Sequence, residues 1–304
     1  MITYVEGDLF QSPAKVLVNT VNTVGVMGKG IALQFKQIYP EMFKKYQKLC
    51  EKNQLQVGQL WLYKTPHKWI LNFPTKEHWR SKSKLEYIEA GLIKFVETYQ
   101  DKGIQSISFP ALGCGNGELD WASQVLPLMQ RYLDDLPIDI YIHVYSRNNS
   151  LPEHRDIAYI KQWLNGEPKS LSYVEVWDDI KALIKNKSLF HTLKSNTPFT
   201  VHVTFNEGIM ITHAEASFII EKDDLLDLWQ YLRNAGYIHT SILPAHFVVH
   251  SEYFVSLLQE LPYISAIPIS IEADAIFDNW GLQLIPPVAE TILQVGQPEV
   301  VKLI

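Results

Sequence analysis

The first half of the chain alternates short β-rich runs with stretches of helical periodicity. Residues 16–21 form an apolar run of strand length. From Gly30 to Cys50 apolar residues recur near helical spacing, and Pro40 is expected to divide that stretch into two helices. Residues 60–63 and 69–73 predict two strands around the Pro66-His67-Lys68 turn. Leu85, Ile88, Leu92, Phe95 and either Val96 or Tyr99 put one apolar stripe on a helix. A strand over 104–112, a helix over 121–133 and an edge or late strand over 138–145 complete the series. Alternation this dense predicts an α/β architecture, a mixed central sheet flanked by helices on both faces.

The pattern changes after residue 164. Asn165-Gly166-Glu167-Pro168-Lys169-Ser170 is the expected linker, dividing the chain into domains 1–164 and 171–304. In the second, 172–177 predicts a strand, 178–185 a helix, 199–205 and 208–212 a hairpin. A strand over 216–220 and a helix over 223–235 follow, and 246–250 and 267–271 are strand-like with 251–261 helical between them. That order predicts a smaller α+β domain.

Composition narrows the class. Of 304 residues, 47% are hydrophobic and 20% charged, the balance of a soluble globular protein, and no apolar run is long enough to span a membrane. The N-terminus reads as strand and turn rather than secretion signal, and the two cysteines, Cys50 and Cys114, build no disulfide framework. A cytoplasmic protein is expected. The net charge of −6 is unevenly spread. Basic residues concentrate at 29–52 and 76–84, while Glu207, Glu215, Glu221, Asp223, Asp224, Asp227, Glu252, Glu260, Glu272, Asp274, Asp278, Glu290 and Glu299 make the second half acidic. Nucleic acid would have to be met by a local basic rim, and the acidic half suits a protein partner or a basic surface.

Two glycine-rich loops, each after a β-rich run and before a helix, carry the candidate chemistry. They are Gly25-Val26-Met27-Gly28-Lys29-Gly30 and Gly113-Cys114-Gly115-Asn116-Gly117. Glycine admits close approach of a ligand, and successive N–H groups form an anion-binding nest. Two nests at strand ends can grip both ends of a diphosphate. The first loop is Gly-x-x-Gly-x-Gly, which is not the dinucleotide fingerprint, and no Gly-Lys-Ser/Thr makes a Walker loop. Asn19, Thr20, Asn22 and Thr23 at the preceding strand end suit ribose hydroxyls, or else cap a helix and fix the turn. Asp8 could accept from an adenine amino group or cap a turn.

Glu6-Gly7-Asp8, residues 18–32 and Phe109-Pro110-Ala111-Leu112-Gly113-Cys114-Gly115 resemble the signature elements of macro domains, which bind ADP-ribose. Asn72-Phe73-Pro74-Thr75-Lys76-Glu77-His78-Trp79-Arg80 resembles, more narrowly, the branch that hydrolyses ADP-ribose esters. Within it the likeness is to the DarG-type antitoxins, which remove ADP-ribose from thymidine in DNA. It covers residues 1–155, and 171–304 carry no recognised motif. The resemblance implies a macro-domain fold and a ligand-binding set of Asp8, Asn19, Thr20, Asn22, Gly25, Met27, Gly28, Gly30, Pro110, Gly113, Cys114, Gly115, Asn116 and Gly117. In it Asp8 contacts adenine, Asn22 approaches the distal ribose, and the two loops close on the diphosphate. Lys76 matches the catalytic lysine that attacks C1″ of the distal ribose, a role that needs a depressed pKa. Relatives place an aspartate in the second loop. Here that position is Gly117, so either the neighbouring Glu118 or a nearby residue substitutes as acid/base, or Lys76 works mainly electrostatically and in positioning the acceptor.

His78, Trp79, Arg80, Lys82 and Lys84 form an expected basic and aromatic rim for single-stranded DNA, where stacking contributes about 1–3 kcal/mol per base. The plainer alternative is an exposed segment capping the next helix. His67, His143 and His154 lack metal-ligand spacing, so no metal site is expected; the implied hydrolysis takes water as second substrate and needs no redox cofactor, and Cys114 reads as a space-filling residue. The leading expectation is a hydrolase that frees ADP-ribosylated single-stranded DNA and acts as antitoxin to a DNA ADP-ribosyltransferase toxin, with the acidic domain binding that toxin. Two alternatives are a non-catalytic ADP-ribose reader and a hydrolase of O-acetyl-ADP-ribose or another free metabolite. The second domain could instead stabilise the first or mediate dimerisation.

Overall fold

The structure, a computed structural model, describes residues 1–144, 156–166, 171–214, 216–243, 245–275 and 279–286. Residues 167–170 of the expected linker, the end of the 138–145 strand, His154, Glu215, Asp278, Glu290 and Glu299 lie outside the described residues.

The first half runs β1 (Ile2–Glu6), β2 (Val16–Asn22), α1 (Gly30–Ile38), α2 (Pro40–Glu51), β3 (Trp61–Lys64), β4 (Trp69–Lys76), α3 (Leu85–Thr98), β5 (Ser106–Pro110), α4 (Leu126–Leu133), β6 (Asp139–Val144) and α5 (Ile157–Asn165). Pro40 starts α2, where its missing N–H breaks no helical bond, and Tyr39 leaves the helical region at φ −122°. Strands β1, β6, β5, β2 and β4 are parallel neighbours, and β3 closes one edge antiparallel to β4. Strand β6 is therefore an inner strand, not an edge. Alternation along β2 sends Val16 and Val18 to one face and Leu17 and Val21 to the other. On the first face Ile88, Leu92 and Phe95 of α3 and Met129 of α4 pack with Phe73 and Phe109. On the second, Phe35, Met42, Tyr46, Ile160 and Leu164 bring α1, α2 and α5 onto the sheet. Helices cover both faces, as the alternation predicts.

The second half runs α6 (Tyr173–Asn186), β7 (Phe190–His191), β8 (Pro198–Val203), β9 (Ile209–His213), β10 (Ala216–Ile220), α7 (Lys222–Ala235), β11 (Tyr237–Ile238), α8 (Ala245–Val248), α9 (Ser251–Leu258), β12 (Ile264–Ser270) and β13 (Trp280–Leu284). The strand expected over 172–177 is the start of α6. Ser172 accepts from the Glu175 amide and Glu175 accepts from the Ser172 amide, a capping box that starts a helix there. Residues 246–250 are helix and turn, not strand: Phe247 is buried against Phe254, while Val249 is exposed.

Strands β10-β9-β8-β7 form a separate antiparallel sheet. The other three strands continue the first sheet, because β12 pairs antiparallel with β1 and is followed by β13 and β11. Val5, Ala14, Tyr141, Tyr237, Ile267 and Ile269 bury one another across this seam, and the Gln283 amide donates to the Gln11 carbonyl at 2.8 Å. Truncating a fully buried aliphatic residue costs about 2–5 kcal/mol, so Ile269→Ala should lower stability by that order. Because the sheet is continuous, probes in both halves should report one urea transition that shifts as a unit. A shift confined to residues after 171 would contradict a shared sheet core.

Candidate active site

Parallel strands end on one edge of a sheet, so the loops after β2, β4 and β5 share that edge. The loop after β2 is shaped by Asn22. Its Oδ1 accepts from the amides of Val24 and Val26 at 3.1 and 3.2 Å, its Nδ2 donates to the Val26 carbonyl, and Tyr46 donates to its backbone carbonyl at 2.7 Å. Gly25 takes φ +81° beside α2, a left-handed conformation that favours glycine. Asn19 and Met27 lie beneath the loop and are buried. Asn19 Nδ2 donates to Asn72 Oδ1 at 2.9 Å, and among the described residues Asn19 Oδ1 meets no donor. Both side chains thus support the loop from inside. Thr20 is half-buried on β2, and Asp8 caps the turn after β1 by accepting from the Phe10 amide at 3.0 Å.

The loop after β5, which begins beyond the buried Pro110, is two successive tight turns. Cys114 N–H donates to the Ala111 carbonyl, Glu118 N–H to Gly115 and Leu119 N–H to Gly113, all at 3.1–3.2 Å. Gly113 and Glu118 take φ +72° and +63°. A Cβ on Gly117 would lie 2.2 Å from the Gly113 carbonyl oxygen, so this position accepts no side chain, aspartate included. Gly115 faces open space, and among the described residues nothing accepts from the amides of Gly115, Asn116 and Gly117. The two loops approach where a Cβ on Gly30 would come within 2.9 Å of Asn116 Nδ2. Gly28 has only its neighbour Val26 near such a Cβ, which leaves it free of helix α2. This is an open, glycine-lined cleft with amides available for an anion.

Lys76 ends β4 and reaches across to the second loop, its ammonium donating to the Asn116 carbonyl at 2.5 Å. Partial burial pushes its pKa down, and the Glu118 carboxylate opposes that shift. Glu118 itself accepts from Lys82, whose Nζ lies 2.6 Å away, and this contact holds its carboxyl below the usual range. It is therefore ionised, suited to taking a proton rather than giving one. Cys114 donates to the Leu112 carbonyl and burial pushes its thiol up to about 12, the opposite of a nucleophile.

Residues 77–84 strap across the cleft. Thr23 donates twice to the Glu77 carbonyl, through N–H and Oγ1, and the Ser83 amide donates to the Gly117 carbonyl at 3.0 Å. His78 and Trp79 stack with ring centres 5.5 Å apart, and the Arg80 guanidinium sits 4.5 Å from the Trp79 ring. Trp79 is exposed, and Lys84 lies over Tyr87. Lys84 occupies the α3 N-cap, where its side chain makes no cap bond and its carbonyl accepts from the Tyr87 and Ile88 amides. Sequence reasoning missed Ser83, buried under the second loop and part of no motif, and gave no role to Asn72, which opens the Asn72–Arg80 segment and is the partner of Asn19. Among the described residues no cluster of acidic, histidine or cysteine side chains could hold a metal, and no helix is long and apolar enough to cross a membrane.

The Macro domain family model matches residues 18–126. The DNA ADP-ribosyl glycohydrolase of Mycobacterium tuberculosis is 47% identical over 147 residues, covering 47% of this chain and 42% of that relative. The DNA ADP-ribosyl transferase-DNA ADP-ribosyl glycohydrolase fusion protein of Thermosipho africanus is 41% identical over 167 residues, covering 48% of this chain and 43% of that one. The ADP-ribose glycohydrolase OARD1 of Bos taurus is 30% identical over 146 residues, 48% of this chain and 91% of that protein. The matches thus span less than half the length of the first two relatives.

The geometry separates two glycines that look alike in sequence. Gly117→Ala should destabilise the protein by about 1–3 kcal/mol, the usual range for forced overpacking, while Gly115→Ala should unfold within about 0.5 kcal/mol of wild type, as at an unconstrained surface site. Equal urea midpoints for the two variants would contradict this loop geometry.

Proposed function

The chain belongs to the macro domain family, and from that premise we propose that its cleft binds ADP-ribose and hydrolyses the bond joining ADP-ribose to thymidine in single-stranded DNA. The observation that carries this reading is Lys76, half-buried with a depressed pKa and held against the loop whose amides would receive the diphosphate. The Trp79-centred rim beside it supplies stacking surface and cations for an acceptor strand, which a free ADP-ribose metabolite would not use.

In the proposed reaction the neutral Lys76 amine attacks C1″ of the distal ribose. The C1″–Nζ bond forms as the bond to the base breaks, and the base leaves with the electron pair. The Glu118 carboxylate takes a proton from Nζ, which balances the proton taken up by the departing base. Ring opening gives a Schiff base on Lys76, and water then releases ADP-ribose and restores the amine. The ligand set is Asp8, Thr20 and Asn22 with the glycine loops, and Asn19 and Met27 hold the first loop in shape. Water is the second substrate, and the chemistry uses no cofactor.

The same reading makes the protein a cytoplasmic antitoxin to a DNA ADP-ribosyltransferase toxin, with the acidic residues after 171 engaging a basic face of that partner. The Thermosipho relative, whose name joins a transferase and a glycohydrolase in one chain, supports such a pairing. A stabilising role for the second half of the chain has its own support in the pairing of β12 with β1.

Lys76→Ala should abolish release of ADP-ribose from modified oligonucleotide by about three orders of magnitude while changing ADP-ribose affinity by about 1–2 kcal/mol or less, because only a transition-state interaction is removed. Gly115→Val should remove ADP-ribose binding in calorimetry without loss of fold. Since Glu118 raises the Lys76 pKa, Glu118→Gln should move the rising limb of the pH–rate profile toward lower pH. Near-normal turnover by Lys76→Ala would remove the lysine from the mechanism.

A further inference from the structure

Three cations on the strap are held differently. Arg80 lies over Trp79 and Lys84 over Tyr87, whereas Lys82 reaches the second loop and pairs with Glu118 at 2.6 Å. Strap and loop are cross-linked beside that pair by the Ser83 amide on the Gly117 carbonyl. The backbone of Glu118 is fixed as well, left-handed at φ +63° with its amide on Gly115. Only the two side chains are left to move. Both are more than half exposed, the setting in which ion pairs are weak and a competing anion exchanges readily.

We propose that the Lys82–Glu118 ion pair is a substrate-released latch that gives the enzyme its preference for a nucleotide chain over a free nucleoside. A phosphate next to the modified residue takes Lys82 from Glu118, and the freed carboxylate turns to the Lys76 amine. Lys82 contributes a salt link to the acceptor strand and, through Glu118, readies the lysine. An acceptor without a phosphate leaves the latch closed. This inference rests on the DNA-acceptor hydrolase reading above.

Charge order in the cleft supports it. Lys76, Glu118 and Lys82 alternate in sign, and Glu118 acts electrostatically on both lysines. Lys82 holds the Glu118 carboxyl below its usual range, so removing the outer positive charge makes the carboxylate more basic and better able to take the proton from Nζ of the attacking lysine. A phosphate arriving at Lys82 has the same effect.

The test compares kcat and KM for two substrates, ADP-ribosylated thymidine nucleoside and the same adduct within a short single-stranded oligonucleotide. Wild type should favour the oligonucleotide. Lys82→Met should raise kcat on the nucleoside several-fold and raise KM on the oligonucleotide, shrinking the preference in kcat/KM by about tenfold. Lys82→Arg, which keeps the charge, should restore the preference, an outcome that loss of mere structural support would not give. An unchanged substrate ratio in Lys82→Met, or an equal fall in kcat on both substrates, would overturn the latch. Wild type that turns over neither substrate would remove the hydrolase reading, and the latch with it.

Discussion

Parallel pairing of β4 with β2 and of β2 with β5 is the constraint on which the site depends. It brings three strand ends to one edge and leaves their following loops side by side. Near the end of the β2–β4 ladder the register shifts, from Val21 opposite Pro74 to Asn22 opposite Lys76. Proline has no N–H to give to a ladder, so the strand bulges there and Thr75 is passed over. A bulge re-aims the side chain that follows it, and here that side chain is Lys76. The residue that reaches the second loop is thus directed by backbone chemistry two positions earlier.

Around this lysine the charges are few and local. The chain as a whole carries −6, which repels polyanions, yet the cleft edge gathers Lys76, Arg80, Lys82 and Lys84 against the carboxylates of Glu77 and Glu118. Partial burial lowers the Lys76 pKa, and Glu118, itself held ionised by Lys82, limits how far it falls. Gly117 explains why the carboxylate stands where it does: a side chain there would strike the Gly113 carbonyl, and Glu118 is the first position beyond it that can carry an acid.

Much of this was legible in the sequence because the signals are local. Strand and helix periods located the elements of the first half, Pro40 marked the break between α1 and α2, and the glycines marked both loops. The same reasoning misplaced the start of α6, although the Ser172/Glu175 capping signature was present, because a β-rich pair, Tyr173 and Val174, outweighed it. The continuation of the sheet through β12 was not legible. Tyr4 pairs with Ser270, and no periodicity reports a partner so far along the chain. Likewise, the buried Asn19–Asn72 pair, Ser83 beneath the second loop and the Lys82–Glu118 contact join residues from different elements. Single-sequence patterns carry the faces of elements but not which faces meet.

The claim that Lys76 is the nucleophile is tested most directly by reductive trapping. Borohydride added during turnover of ADP-ribosylated single-stranded DNA should reduce the Schiff base and leave ADP-ribose covalently attached to the peptide that carries Lys76, detected by mass spectrometry. The adduct should be absent without reductant. Full turnover under reducing conditions with no adduct, or an adduct on any other residue, would contradict the account.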